Sequence, residues 1–238
     1  ERLEARTPER TSQGYTEGGI YIIRDSWEPD TDLMSFRCGP WGLGGEGKSA
    51  HSHCDMLAVL LWVNGRALLV DSGTYRYHGP WRDTFRSTAY HNTLMVDGHE
   101  QATPINAFAW RDVPDAECVD WQPGRRVSGA MEVAPGVRHE RTVLHPTHGE
   151  WDIRDRVMAR PGGSHTLKWH FHLAPDLTAR VVNGGEQIVV EENGRPYVRV
   201  VPPPGVQVTI GNGWFSDQYN HKVEKPVIEA VYEGDVPV

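Results

Sequence analysis

Apolar and polar positions alternate along this chain in short runs, each soon closed by Gly, Pro, Asn or Asp. Short runs rich in β-branched and aromatic residues, alternating or continuously apolar and bounded by turn residues, predict β-strands. In the first half they are IYIIR at 20–24, LMSFRC at 33–38, MLAVLLWV at 56–63, RALLVD at 66–71 and HNTLMVD at 91–97. In the second half they fall at 116–121, 126–132, 137–145, 151–159, 165–173, 178–183, 187–192, 197–201, 206–211 and 227–233. Windows with the period of an amphipathic helix are nearly absent. The expected fold class is therefore all-β: one large antiparallel β-sandwich, or two stacked ones. Asn64-Gly65 is the strongest hairpin signal, because a type I′ turn needs positive φ at both central residues. The strands it joins are apolar without alternation, which predicts a central pair covered on both faces.

Residues 1–17 are polar and read as a loose lead-in or linker remnant, with order beginning near Gly18 and the strand-rich region filling 18–238. The chain starts with Glu, which points to a processed product or a fragment of something longer. Pro123-Gly124 marks where an active-site half would divide from a support half. The 25 Gly and 17 Pro agree with many turns. The net charge is −8 with no basic block, so a nucleic-acid partner is not expected. No apolar run approaches the roughly 20 residues of a membrane helix, so no membrane partner is expected either. Three cysteines without a CxxC pair indicate neither a disulfide framework nor a Cys-rich zinc module.

Candidate chemistry is densest at His51-Ser52-His53-Cys54-Asp55, which follows the glycine-rich GPWGLGGEGKSA. Histidines spaced i, i+2 point to one side of an extended chain. Asp71 ends the return strand of the Asn64-Gly65 hairpin, and His91 opens the next strand. Two imidazoles and a carboxylate with an open position suit zinc or non-haem iron. Against this stand ordinary roles: Asp71 capping the Asp71-Ser72-Gly73 bend, and His91 bonded to backbone at a strand start. Geometry also objects. A regular two-residue hairpin pairs Asp71 with Ala58 and puts it on the face opposite His51 and His53. A bulge, or His53 lying in the loop before regular pairing, is needed for the three to converge.

Downstream, GTYRYHGPWRDTFRST at 73–88 gathers Tyr75, Tyr77, His78, Arg76, Arg82 and Arg86. It reads either as a solvated loop or as a subsite where guanidinium forks bind carboxylate or sulfate and aromatic faces stack on sugar rings. Trp169-His170-Phe171-His172 repeats the i, i+2 histidine spacing, but its apolar neighbours place it in the core. Gly42, Gly44, Gly45 and Gly47 lack the GK[ST] ending and following helix of a phosphate loop.

The combination His51-x-His53-x-Asp55, Asp71-Ser-Gly-Thr-Tyr75-x-Tyr77 and Phe85-Arg-Ser-Thr-x-x-His91-Asn-Thr-x-x-Val-Asp-Gly resembles the C-terminal half of the heparinase II/III-like polysaccharide lyases, and is also similar to oligo-alginate lyases. The resemblance is closest over about residues 40–101. It implies the β-sandwich half of a protein whose N-terminal helical toroid is the expected partner domain and is missing from this chain. It implies zinc held by His53, Asp71 and His91, His51 facing a substrate uronate as a catalytic group, and Tyr77 or Tyr75 lining the same cleft. It implies β-elimination on a uronic-acid-containing anionic polysaccharide, such as a glycosaminoglycan or alginate, in a periplasmic or secreted setting. Arg76, Arg82 and Arg86 are then candidate substrate-binding residues.

Two other function classes fit the residues. A noncatalytic carbohydrate-binding or scaffold module with a structural metal agrees with the missing toroid. A two-His-one-carboxylate iron oxygenase agrees with the donor set alone. Product absorbance separates the first from a lyase, and metal identity separates the second.

Overall fold

The computed structural model describes residues 6–42 and 49–237. Strand accounts for 56% of the protein and helix for 5%, which bears out the all-β expectation. Among the described residues the one α-helix is α1 (Pro80–Phe85), six residues long with Pro at its start. Among the described residues no helix is long and apolar enough to cross a membrane.

The first sheet runs in sequence order: β1 (Gln13–Tyr15), β2 (Ile20–Arg24), β3 (Leu33–Arg37), β4 (Val59–Val63) and β5 (Arg66–Leu69). β1 lies inside the stretch expected to be loose, so pairing begins before Gly18. β6 (Leu94–Val96) joins a sheet ordered β17-β18-β13-β6, with β13 (Gly163–His172), β17 (Gln207–Gln218) and β18 (His221–Val236). β7 (Thr103–Asn106) and β8 (Ala109–Arg111) form a small hairpin that the apolar pattern did not announce. β9 (Ala116–Gln122), β10 (Arg126–Ala134), β11 (Val137–Thr147) and β12 (Glu150–Ala159) form a meander. Pro123-Gly124 is the turn between the directly paired β9 and β10, inside one sheet. β14 (Leu177–Val182), β15 (Gln187–Glu192) and β16 (Arg195–Val200) make the last, three-stranded sheet.

The first sheet stacks on the meander. Met34, Phe36 and Val59 meet Val127, Met131 and Val143 in one buried cluster. Gly129 of β10 permits this approach: a Cβ there would lie 2.5 Å from Cys38 Sγ and 2.9 Å from Phe36 Cε1. The same cluster continues through Leu173, Leu177, Ile188 and Ile228 to the other two sheets. A second cluster of Leu94, Val96, Val157 and Leu167 fixes β6.

The hairpin turn forms as expected, with Asn64 at φ 47° and Gly65 at φ 76°. A side chain at Gly65 would collide with the Pro29 carbonyl. The flanking strands differ from expectation in one respect. β4 buries Val59, Leu61 and Val63, but leaves Leu60 and Trp62 half-exposed on the opposite face. β5 is the last strand of its sheet, and its end bridges to the next sheet through Leu69 and Leu173.

The pairing also resolves the geometric objection to a site at this end. Val63 faces Arg66 and Trp62 faces Ala67, but the register then slips so that Leu61 faces Leu69. This bulge turns the end of β5 over relative to a regular hairpin. His53 moreover lies in the loop ahead of β4, free of its alternation.

Candidate active site

Three segments converge beside the outer face of the first sheet, and the His91-Asn92-Thr93 run ties them. Asn92 Nδ2 donates to the Val70 carbonyl, and Thr93 Oγ1 donates to the Met56 carbonyl. Asn92 Oδ1 also accepts from the His172 amide. The end of β5, the loop of His53 and the end of β13 are thereby fixed around His91, which is buried.

His91 Nδ1 donates to the Ser87 carbonyl at 2.8 Å, which leaves its Nε2 lone pair facing inward. That nitrogen lies 3.2 Å from His53 Nδ1 and 3.5 Å from Asp71 Oδ2. Asp71 divides its oxygens: Oδ1 accepts from the Gly73 amide at 2.7 Å, while Oδ2 faces His91. Burial, then the neighbouring charges of His91, Arg82 and Arg86, hold His53 well below the ordinary histidine value, so it stays neutral. Burial pushes the Asp55 carboxyl up, against the pull of His91 and Arg37.

The donor types and the two separations at His91 suit a zinc ion, which His53 and Asp71 would have to draw together to share. Ligand atoms about 2.0–2.1 Å from a tetrahedral ion stand roughly 3.3 Å apart, close to the two separations at His91. One contact competes. Arg82 Nη1 lies 3.4 Å from His53 Nε2, and since guanidinium only donates, that bond would place the imidazole proton on Nδ1. The contact is long, and Arg82 keeps bonds to the Ala107 and Ala50 carbonyls without it.

His51 is exposed at the mouth of a cleft of about 890 Å³, lined also by His53, Asp55, Asp71, Arg37 and Leu60. Tyr77 stands against it, ring to ring at 5.7 Å and 90°. Tyr75 points elsewhere, stacking on Phe85 at 5.5 Å and meeting the edge of Trp81. The structure thus separates the two tyrosines that the sequence left equivalent.

The arginines require a correction. Arg82 and Arg86 are 2% and 1% exposed, and do not offer a surface to an anion. Arg86 pairs with Asp83, donates to the Asn106 and Ala107 carbonyls, and lies 4.2 Å over Trp110. Backbone carbonyls have consumed the forks that were expected to bind ligand. Arg76 is half-buried and donates to Asn220 Oδ1 at 2.6 Å. Gly44, Gly45 and Gly47 lie outside the described residues.

Lys225 was not foreseen. It is buried on β18, donates to Ser72 Oγ at 2.8 Å, and Ser72 Oγ donates on to the Tyr90 carbonyl at 2.6 Å. This relay pins the turn after Asp71 to the turn before His91. Burial lowers the lysine to about 7, against the pull of Asp71. His170 and His172 lie in the core as expected.

Comparison with known proteins identifies the family and the fold. Residues 7–236 match the family described as heparinase II/III-like, C-terminal. A heparin-sulfate lyase of Bacteroides stercoris is 25% identical over 93% of this chain. The chain spans about a third of that protein, 32% of its length. A solved heparinase III shares the fold with a TM-score of 0.67 at 20% identity, over 98% of this chain and 37% of that one. The heparan sulfate lyase HepC of Pedobacter heparinus likewise gives 0.67 at 18% identity, over 97% and 37%. The chain belongs to the heparinase II/III-like family, matching its C-terminal domain.

Proposed function

We propose that this chain is the β-sandwich portion of a polysaccharide lyase that cleaves a uronic-acid-containing anionic polysaccharide by β-elimination. The observation that carries the reading is the pairing of His51 and Tyr77 at the cleft mouth, next to His53, Asp71 and His91. Elimination requires removal of the C5 proton, neutralisation of charge growing on the C6 carboxylate, and a proton for the leaving oxygen. His51, exposed and positioned by the ring of Tyr77, is suited to meet the carboxylate. The Tyr77 hydroxyl is the group suited to carry a proton at the sugar. His53, Asp71 and His91 would hold zinc, whose positive charge orders the loops and favours an anionic ligand in the cleft. A preceding helical domain would close the cleft and supply the remaining proton-transfer group, so the chain alone should bind weakly and turn over poorly.

The test is formation of the unsaturated uronate, read by its ultraviolet absorbance, in the parent protein carrying His51→Ala or Tyr77→Phe. Each should lower kcat by about 100-fold or more while metal content is unchanged. Full activity in both variants would sink the assignment.

A further inference from the structure

Phe108, Tyr77 and Tyr219 come from three distant segments and lie as a terrace of nearly parallel rings. Tyr77 is 6.1 Å from Phe108 at 24°, and 6.2 Å from Tyr219 at 21°. All three are open to solvent, at 52%, 37% and 59% for Phe108, Tyr77 and Tyr219. Phe108 and Tyr219 are the more exposed pair, flanking a Tyr77 ring that has Arg82 against its face, and exposed aromatic rings gathered into one patch mark a surface that binds something.

The terrace is held in place from beneath. Arg82 and Arg86 both donate to the Ala107 carbonyl, and Arg86 also to that of Asn106. Asn106 Oδ1 accepts from the Phe108 amide at 2.8 Å. The buried arginines therefore set the turn that presents Phe108. On the other side, the Asn220 amide donates to the Tyr75 carbonyl, and Arg76 holds Asn220 Oδ1. That fixes the turn carrying Tyr219 against the loop carrying Tyr77.

We propose that this terrace is a sugar-stacking subsite that extends the cleft on both sides of Tyr77, with an anionic oligosaccharide as its occupant. The proposal rests on the lyase reading and names where the chain flanking the reacting uronate lies. A pyranose offers an apolar C–H face to an aromatic ring and a polar rim to its surroundings. The accessible surroundings here are polar: His51 packs perpendicular to the Tyr77 ring at 5.7 Å, and His78 Nδ1 is 3.4 Å from the Tyr219 hydroxyl, while buried Arg82 adds its charge from beneath the Tyr77 ring without reaching the surface. A protein partner would need about 800 Å² on each side with an apolar centre, which three rings within a polar rim do not supply.

The experiment is calorimetric titration of the 238-residue chain with a heparan sulfate octasaccharide, at low and at raised salt. Phe108→Ala and Tyr219→Ala should each weaken binding by about five-fold, and the double variant by tenfold or more. Because stacking releases no counterions, the salt dependence should keep its slope. Tyr219→Phe should bind as the unaltered chain does, and melting temperatures should not move. Wild-type affinity in the double variant, with His51→Ala still weakened, would overturn the terrace while leaving the lyase reading standing. A lower salt slope in the double variant would assign the loss to charge and overturn stacking. Self-association that the double variant abolishes would give the surface to a protein partner. No binding by the unaltered chain would overturn the terrace, whereas the lyase reading stands or falls on product formation in the parent protein.

Discussion

Two histidine clusters in this protein use the same residue types to opposite ends. At His53, Asp71 and His91, two ring nitrogens face each other and a free carboxylate oxygen, with a carbonyl fixing the outer nitrogen of His91. Asp25, Asp32 and His148 are the more tightly gathered set, with one ligand atom from each within 4.8 Å of the others, yet each is already engaged. His148 directs Nδ1 to Asp25 Oδ2 and Nε2 to Asn64 Oδ1. His145 directs its nitrogens to Asp25 Oδ1 and the Glu150 carbonyl. Asp32, buried, accepts from the amides of Asn64 and Gly149 and from Trp151 Nε1. Spacing alone therefore does not make a metal site; what decides is whether lone pairs are left over. The second cluster is a clamp that ties the β4–β5 turn and the β2–β3 connection to the β11–β12 hairpin.

The largest stability effect should come from a third grouping that resembles neither. Asp155 accepts from His139 Nε2, Arg141 Nε and Nη2, and Trp169 Nε1; Asp155, His139 and Arg141 are nearly or fully enclosed, and Trp169 is half-buried. Asp155→Asn would leave Arg141 buried without its counter-charge, a loss of about 3–5 kcal/mol. Chemical denaturation would measure it. A change under 1 kcal/mol would show that the Leu57 and Asn92 carbonyls, which Arg141 also holds, suffice.

The strand framework was legible in sequence because buried faces impose period two, as in the iBiBi pattern of β2 and β3. The Asn64-Gly65 turn was legible because its backbone demands positive φ. The site was legible only in part. His51, His53, Asp71 and His91 could be singled out, but their convergence depends on a bulge in β5 that no residue type announces. The arginines were misplaced because burial is set by the β7–β8 turn packed over them, which sequence pattern missed. Lys225 in VEKPV reads as a surface lysine, and Phe108 and Tyr219 become neighbours of Tyr77 only through long-range packing.

Acid and base should act on the two kinds of histidine with opposite sign. Burial lowers His170 to about 4, with the charge of Lys168 second, and also lowers His139 and His172. Their folded values lie below the unfolded 6.5, so stability is whole above that pH and declines as pH falls toward 4. His148 is raised, chiefly by its hydrogen bond to Asp25 and then by Asp32. Its contribution is whole below pH 6.5 and is lost as pH rises through the higher folded value. Melting curves across pH should show His170→Asn flattening the acid limb by the larger amount. His148→Gln should flatten only the limb above neutrality, and weakly, since the ring is half in water. An unaltered acid limb in His170→Asn would contradict the assignment.

The contrast between the two clusters is tested most directly by zinc content, measured by elemental analysis on chain never exposed to chelator, in the unaltered form, His53→Ala and His148→Ala. One zinc per chain is expected in the unaltered form and in His148→Ala. None is expected in His53→Ala, whose melting temperature should fall by about 10 °C when metal is held near a thousandfold above its Kd. No zinc in the unaltered chain, or zinc kept by His53→Ala and lost from His148→Ala, would contradict the account.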